Sequence, residues 1–126
     1  SGDGAGTYAS LTTGEWYNAC SSNGVAEQPS CDSCNCLNFA PTGGVSVVGV
    51  WTACHAAAAP YSAILSLRGN AAEWENSCAS TDPSAACRVR GGYWDSSTAN
   101  SNCSFEDSRG RGYVGTDVGF RCCTAP

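Results

Sequence analysis

Gly69-Asn70-Ala71-Ala72-Glu73-Trp74, Arg90-Gly91-Gly92-Tyr93-Trp94 and Val118-Gly119-Phe120-Arg121 are three short blocks built from glycine, aromatic rings and a few charges, and their reading decides the fold. The first reads as a tight turn that points backbone carbonyls at one place. Each carbonyl there needs a cation, a donor or water, because a buried unsatisfied group costs roughly 1–3 kcal/mol. The second block lies in a strand expected over Arg88 to Trp94. The third lies in another over Asp117 to Cys123, where Val118, Phe120 and Cys122 alternate onto one face.

Working outward, Val45 to Trp51 and Ala63 to Leu67 are further strand candidates, separated by Cys54 to Pro60 with the single histidine, His55. Thr12 to Cys20 reads as a short helix. Thr12 and Glu15 stand at capping-box spacing, and Trp16 and Cys20 share the inward face. Ser21 to Gly44 is rich in Ser, Asn, Gly, Pro and clustered Cys without sustained hydrophobic periodicity, which predicts loop held by crosslinks. No internal repeat is visible. The expectation is one α+β domain over residues 1–126, irregular and loop-rich, with one helix and little strand.

Only sixteen of 126 residues are Val, Leu, Ile or Phe, too few for an ordinary aliphatic core. Ten cysteines, four Trp and five Tyr compensate, since aromatic rings bury large areas and a disulfide contributes roughly 2–4 kcal/mol. The even count predicts that Cys20, Cys31, Cys34, Cys36, Cys54, Cys78, Cys87, Cys103, Cys122 and Cys123 are all or nearly all oxidised, in a secreted, periplasmic or cell-surface protein. Adjacent Cys122 and Cys123 are expected to bridge to two different places. Cys31-Asp32-Ser33-Cys34-Asn35-Cys36 has a spacing open to zinc as well as to disulfides, and the oxidising setting favours disulfides.

Ser1-Gly2-Asp3-Gly4 has neither a basic start nor an apolar run, so any targeting segment is expected to have been removed. No stretch approaches the roughly 18–20 apolar residues of a membrane span. Six Arg, no Lys and a net charge of −5 argue against nucleic acid as a partner. The absence of Lys and Met beside abundant Ala, Gly and Arg suggests GC-rich, bacterial coding.

In order and spacing, the three blocks resemble the GNxxEW, RGGSW and GFR elements of the formylglycine-generating-enzyme (sulfatase-modifying factor) superfamily, which has a C-type-lectin-like topology. Leu11-Thr12-Thr13-Gly14-Glu15-Trp16 is similar to that family's LPTEAEWE helix. The resemblance touches most of the chain, loosely over Ser21 to Ala63, and implies a disulfide-stapled version of the fold. The family's sizeable N-terminal portion has no counterpart here. Either the fold is minimal, or a partner chain or a homo-oligomer supplies the missing half.

The resemblance also implies a test of activity. The family enzyme holds copper on two cysteines, which fall at Ser96 and Ser101 when counted from Gly92. Serine hydroxyls are poor ligands for Cu(I), so neither copper nor oxidase activity is expected. The iron-dependent relatives need a histidine cluster, and His55 alone reads as structural or surface. The family's calcium site maps onto Ser66, Gly69, Ala71 and Glu73, making structural Ca²⁺ a candidate. The alternative is that Glu73 pairs with an arginine such as Arg121. Trp74 and Trp94 read as core.

Between the second and third blocks the chain is polar and rich in donors and acceptors. Asp95, Ser96, Asn100, Asn102, Glu106, Asp107, Arg109, Arg111 and Tyr113 are the candidate ligand-binding residues. The expected function is a non-catalytic extracellular module that binds a glycan, peptide or protein. The alternative is a structural or assembly subunit of an extracellular complex or filament. A sulfatase-motif peptide incubated with the protein, copper and oxygen is expected to keep its cysteine, as judged by mass spectrometry. Copper-dependent loss of the thiol would contradict this.

Overall fold

The computed structural model describes residues 14–36 and 43–122. Helix α1 spans Glu15–Ser21 and starts at Gly14, whose cap has no side-chain hydrogen bond; the expected cap, Thr12, lies outside the described residues. It stops where Ser22 turns left-handed (φ 52°) and the Asn23 amide closes back on the Asn18 carbonyl at 2.9 Å.

Four strands follow: β1 Ala72–Cys78, β2 Ala86–Arg90, β3 Glu106–Gly110 and β4 Val118–Gly119. They form one mixed sheet in the order β3-β2-β1-β4. The β1–β2 and β2–β3 pairs are antiparallel and β1–β4 is parallel, with an irregularity between Trp74 and Cys78. Short 3₁₀ turns at Tyr61–Ala63 and Thr98–Asn100 complete the regular structure. The architecture is the small, loop-rich α+β type expected from the sequence.

The element positions differ in instructive ways. Val45 to Trp51 is a turn, not a strand: Gly49 takes φ 97°, and Val47, Val48 and Val50 face outward. Ala63 to Leu67 contributes a single bridge, Leu65 to His55. The strand expected over Arg88 to Trp94 ends at Arg90 because Gly91 (φ 88°) and Gly92 (φ 72°) turn the chain away. A side chain at either glycine would collide with backbone, at Leu67 O for Gly91 and at Asn100 O for Gly92. Strands β1 and β3 are absent from the sequence expectation, since AEWENSC and EDSRG carry few β-formers. Pairing, not propensity, makes them strands.

Central strand β2 is buried on both faces. Cys87 and Val89 point to one side and Arg88 and Arg90 to the other. Arg88 pairs with Glu75 (3.4 Å) and Glu106 (2.6 Å). Arg90 lies 3.6 Å from Glu75, over the Trp16 ring at 5.3 Å, and donates to the Cys103 carbonyl at 3.2 Å. Burial pulls the Arg90 pKa below its ordinary value, with Glu75 opposing.

Three disulfides close the rest: Cys20–Cys103, Cys34–Cys54 and Cys78–Cys87. The first packs with Leu67, Trp16, Tyr17 and Ile64; the second shares a cluster with Cys31, Cys36 and Trp51. Among the described cysteines, Cys31, Cys36 and Cys122 are not part of these bridges. Cys123 lies outside the described residues. Among the described residues no helix is long and apolar enough to cross a membrane.

The two outer crosslinks differ in the loop they close, with sequence separations of 83 for Cys20–Cys103 and 9 for Cys78–Cys87. Chain entropy then predicts that removing the first by paired Cys→Ala substitution costs roughly 4–5 kcal/mol and removing the second roughly 2–3 kcal/mol. Denaturant unfolding of the two double variants checks the order.

Candidate functional site

The pairing of β2 with β3 sorts the polar segment into two faces. Asp107 lies opposite Val89 and Arg109 opposite Cys87, whereas Glu106 lies opposite Arg90 and Ser108 opposite Arg88. Directly opposed residues share a face, so Asp107 and Arg109 stand together on one side and Glu106 on the other. The Gly91-Gly92 turn then brings Tyr93 over the first pair. Its hydroxyl donates to Asp107 Oδ2 at 2.8 Å, the oxygen that also accepts from Arg109 Nη1 at 2.6 Å.

After β3 the chain returns through Tyr113, whose hydroxyl donates to Asp117 Oδ1 at 2.7 Å. The Arg109 guanidinium lies over both rings, 5.1 Å from the Tyr93 centroid and 5.5 Å from that of Tyr113, with Asp117 Oδ2 4.0 Å away. Two tyrosines, two carboxylates and one guanidinium thus form a connected cluster beside edge strand β3.

Its electrostatics follow from these contacts. Burial raises the Tyr93 phenol above its ordinary value, and the hydrogen bond to Asp107 adds to that. Burial would raise Asp107 too, but donors from Tyr93, Ser108 and Arg109 outweigh it and the net shift is downward. The Tyr113 phenol is raised, chiefly by its hydrogen bond to Asp117. Both phenols therefore keep their protons at neutral pH. The rings and carboxylate oxygens of the cluster offer stacking surface and acceptors.

Of the nine candidate ligand residues, the structure brings together Asp107, Arg109 and Tyr113. Ser96 is buried and its hydroxyl accepts from the Tyr93 amide at 2.8 Å. Asn102 is spent on its own turn, donating to Ala99 O at 2.7 Å and accepting from the Ser104 amide at 2.9 Å. Glu106 serves Arg88, and Arg111 donates to Ser80 O at 2.7 Å. Asp95 and Asn100 are exposed. Two members lie outside the expected set: Tyr93, read as framework, and Asp117, read as the start of a strand. The sequence signal that pointed here is the polarity of the stretch between the second and third blocks.

Three of the four calcium ligands expected from the resemblance, Ser66, Ala71 and Glu73, line one cleft with Arg121, Val48 and Phe120. Gly69 takes φ 70°, and a Cβ there would collide with Asn35 O and Cys36 Sγ. The Arg121 guanidinium meets the Glu73 carboxylate: Nε donates to Glu73 Oε1, and Nη2 donates to the backbone carbonyls of Leu65 (2.7 Å) and Ser66 (3.1 Å). Trp16 Nε1 donates to the second Glu73 oxygen at 3.1 Å. The cation at the Glu73 carboxylate in this structure is thus Arg121, the alternative partner expected from the sequence. Among the described residues no group of three or more His, Cys, Asp and Glu could hold a metal. His55 bridges to Leu65 and its Nδ1 contacts Ala56 O at 2.8 Å. Trp74 and Trp94 are half-buried.

Burial raises the Glu73 carboxyl above its ordinary value, while the Arg121 charge and the hydrogen bonds from Arg121 and Trp16 oppose it. A carboxyl whose folded-state pKa exceeds its unfolded value binds its proton more tightly when folded. Its contribution to stability therefore falls as pH rises from the ordinary value through the raised one. Comparison of unfolding free energies for the wild type and Glu73→Gln should show that fall only in the wild type. The stability gap between the wild type and the variant should therefore shift in the variant's favour between acid and neutral pH. Added calcium should leave the melting temperature of both unchanged, and a rise specific to the wild type would contradict the assignment of Arg121 as the cation.

No protein-family model, no curated protein and no solved structure matches this chain.

Proposed function

We propose that the protein is a non-catalytic, exported binding module, and that its ligand face is the cluster of Tyr93, Asp107, Arg109, Tyr113 and Asp117. The observation that supports this reading is the Arg109 guanidinium lying over two tyrosine rings and hydrogen-bonded to a carboxylate at the sheet edge. Charged and aromatic side chains held in one geometry lose little freedom when a ligand docks, and tyrosine combines a flat apolar face with a polar tip. Tyr113 is 40% exposed, so its ring is open to a partner. The ligand is a glycan, peptide or protein with donors for the two carboxylates. The formylglycine-generating-enzyme-like, C-type-lectin-like fold is part of the same proposal, and it rests on the three sequence blocks. The disulfides support the exported setting.

A second reading, the assembly subunit, is favoured by one feature. Val47, Val48, Val50 and Phe120 are all more than half exposed, and Val48 lines clefts with Phe120 and with Ile64 and Leu65.

The wild type and the variants Arg109→Ala and Tyr113→Ala, applied to a glycan array and a peptide array, distinguish the readings. Binding to a defined class that drops at least tenfold in both variants, with melting temperatures unchanged, is the expected result. Binding that is insensitive to both substitutions would place the ligand elsewhere.

A further inference from the structure

Cys31 and Cys36 lie next to each other in the interior, both fully buried, with their thiols in hydrogen-bond contact. The Ser101 hydroxyl touches both, 3.4 Å from Cys31 Sγ and 3.6 Å from Cys36 Sγ. They pack in one cluster with the Cys34–Cys54 disulfide and Trp51. The ligand face described above makes no use of them. As a lone nucleophile Cys36 is badly placed: burial pushes its thiol up to about 12, so its thiolate is scarce at neutral pH. What two touching sulfurs can do is bond to each other.

We propose that Cys31 and Cys36 form a reversible dithiol–disulfide couple, oxidised by small-molecule disulfides while the three other bridges stay closed. This inference is independent of the ligand-binding reading. In the first step the thiolate of one cysteine attacks a sulfur of glutathione disulfide, forming a mixed disulfide and releasing one glutathione thiolate. In the second, the other cysteine's thiolate attacks the protein sulfur of that mixed disulfide, which forms the Cys31–Cys36 bond and releases the second glutathione. The two cysteine protons end on the two glutathione sulfurs. The protein loses two electrons and glutathione disulfide gains them.

Two features separate this couple from the other bridges. It closes the shortest loop, against separations of 9, 20 and 83 for the others, so it constrains the unfolded chain least. Its reduced form is also the best supported, because both thiols are packed and share the Ser101 hydroxyl. A stabilised reduced form makes a couple easier to reduce. Ser101 also hydrogen-bonds to the carbonyls of Ser97 (3.1 Å) and Thr98 (3.4 Å), so the couple adjoins the turn that packs on Gly92, next to Tyr93.

The test equilibrates the folded protein in glutathione buffers of graded ratio, quenches with acid, unfolds it and alkylates with iodoacetamide. Mass spectrometry and peptide mapping then follow each cysteine. The expected result is a window in which Cys31 and Cys36 pass together from two alkylated thiols to none, with the six bridged cysteines unlabelled throughout. That window should sit at a ratio of squared thiol to disulfide at least tenfold below the reduction of any other bridge. In Cys36→Ser, Cys31 should carry either iodoacetamide or a glutathione at the same ratios, with no bond to another cysteine of the protein. Three results would each overturn the proposal: both thiols alkylatable in glutathione disulfide alone, all bridges opening in one step, or oxidation that pairs either cysteine with Cys34 or Cys54. The wild-type titration decides the matter even if the variant fails to fold.

Discussion

The structure depends on Asn70. Its backbone takes φ 63°, in the left-handed region that asparagine tolerates better than most residues. That geometry lets one residue hold several segments at once. Its amide donates to Asn35 O, its carbonyl accepts from the Trp94 amide, and its side-chain oxygen accepts from the Ser46 amide, each at 2.7 Å. Asn35 Nδ2 donates to the same oxygen at 2.8 Å, and Asn70 Nδ2 returns a bond to Ser46 O at 3.1 Å. Two loops, the start of β1 and the chain after the glycine pair are joined at one buried carboxamide. Left unmade, those bonds would each carry the full cost of desolvation.

This arrangement follows from composition. With so few large aliphatic residues, the interior is built from cysteines, small residues and buried polar groups. Arg68, Arg88 and Arg90 are almost wholly buried, yet each has partners. Arg68 donates to Gln28 O (3.0 Å) and Thr98 O (3.1 Å) and pairs with Glu27 at 3.4 Å. Gln28 in turn holds Ile64 and Leu67, both at 3.2 Å. Buried ion pairs add little net stability compared with apolar packing, but breaking one is costly. The three crosslinks make such an interior affordable by destabilising the unfolded chain.

Much of this was legible in residue order. The helix at Glu15 and the turn at Gly69 follow from local signals, spacing on the helix and a Gly-Asn pair, whereas β2 overlaps its expected strand only over Arg88 to Arg90. Strands β1 and β3 do not. Their residues are polar, and they are ordered by what they pair with on β2. The valines of residues 45–50 err the other way, since a β-rich composition there meets no partner strand. The ligand face was half legible. Asp107, Arg109 and Tyr113 sit in a visibly polar stretch, but Tyr93 and Asp117 join them only through the register of β2 with β3 and the turn after it. Glu73 was legible as an organising carboxylate, and its partner is a guanidinium arriving from β4's end of the chain.

The proposed ligand face is therefore a consequence of the interior. Asn70 fixes Trp94, the glycine pair fixes Tyr93 beside it, and β2 fixes Asp107 and Arg109 below. Native-state hydrogen exchange tests this dependence most directly, at the amides of Asn70, Trp94 and Ser46. If Asn70 is the hub, all three exchange only through global unfolding, with one shared opening free energy that equals the unfolding free energy from denaturant. Independent, fast exchange at Trp94 or Ser46 while Asn70 stays protected would show that the segments are held separately, and would contradict the account.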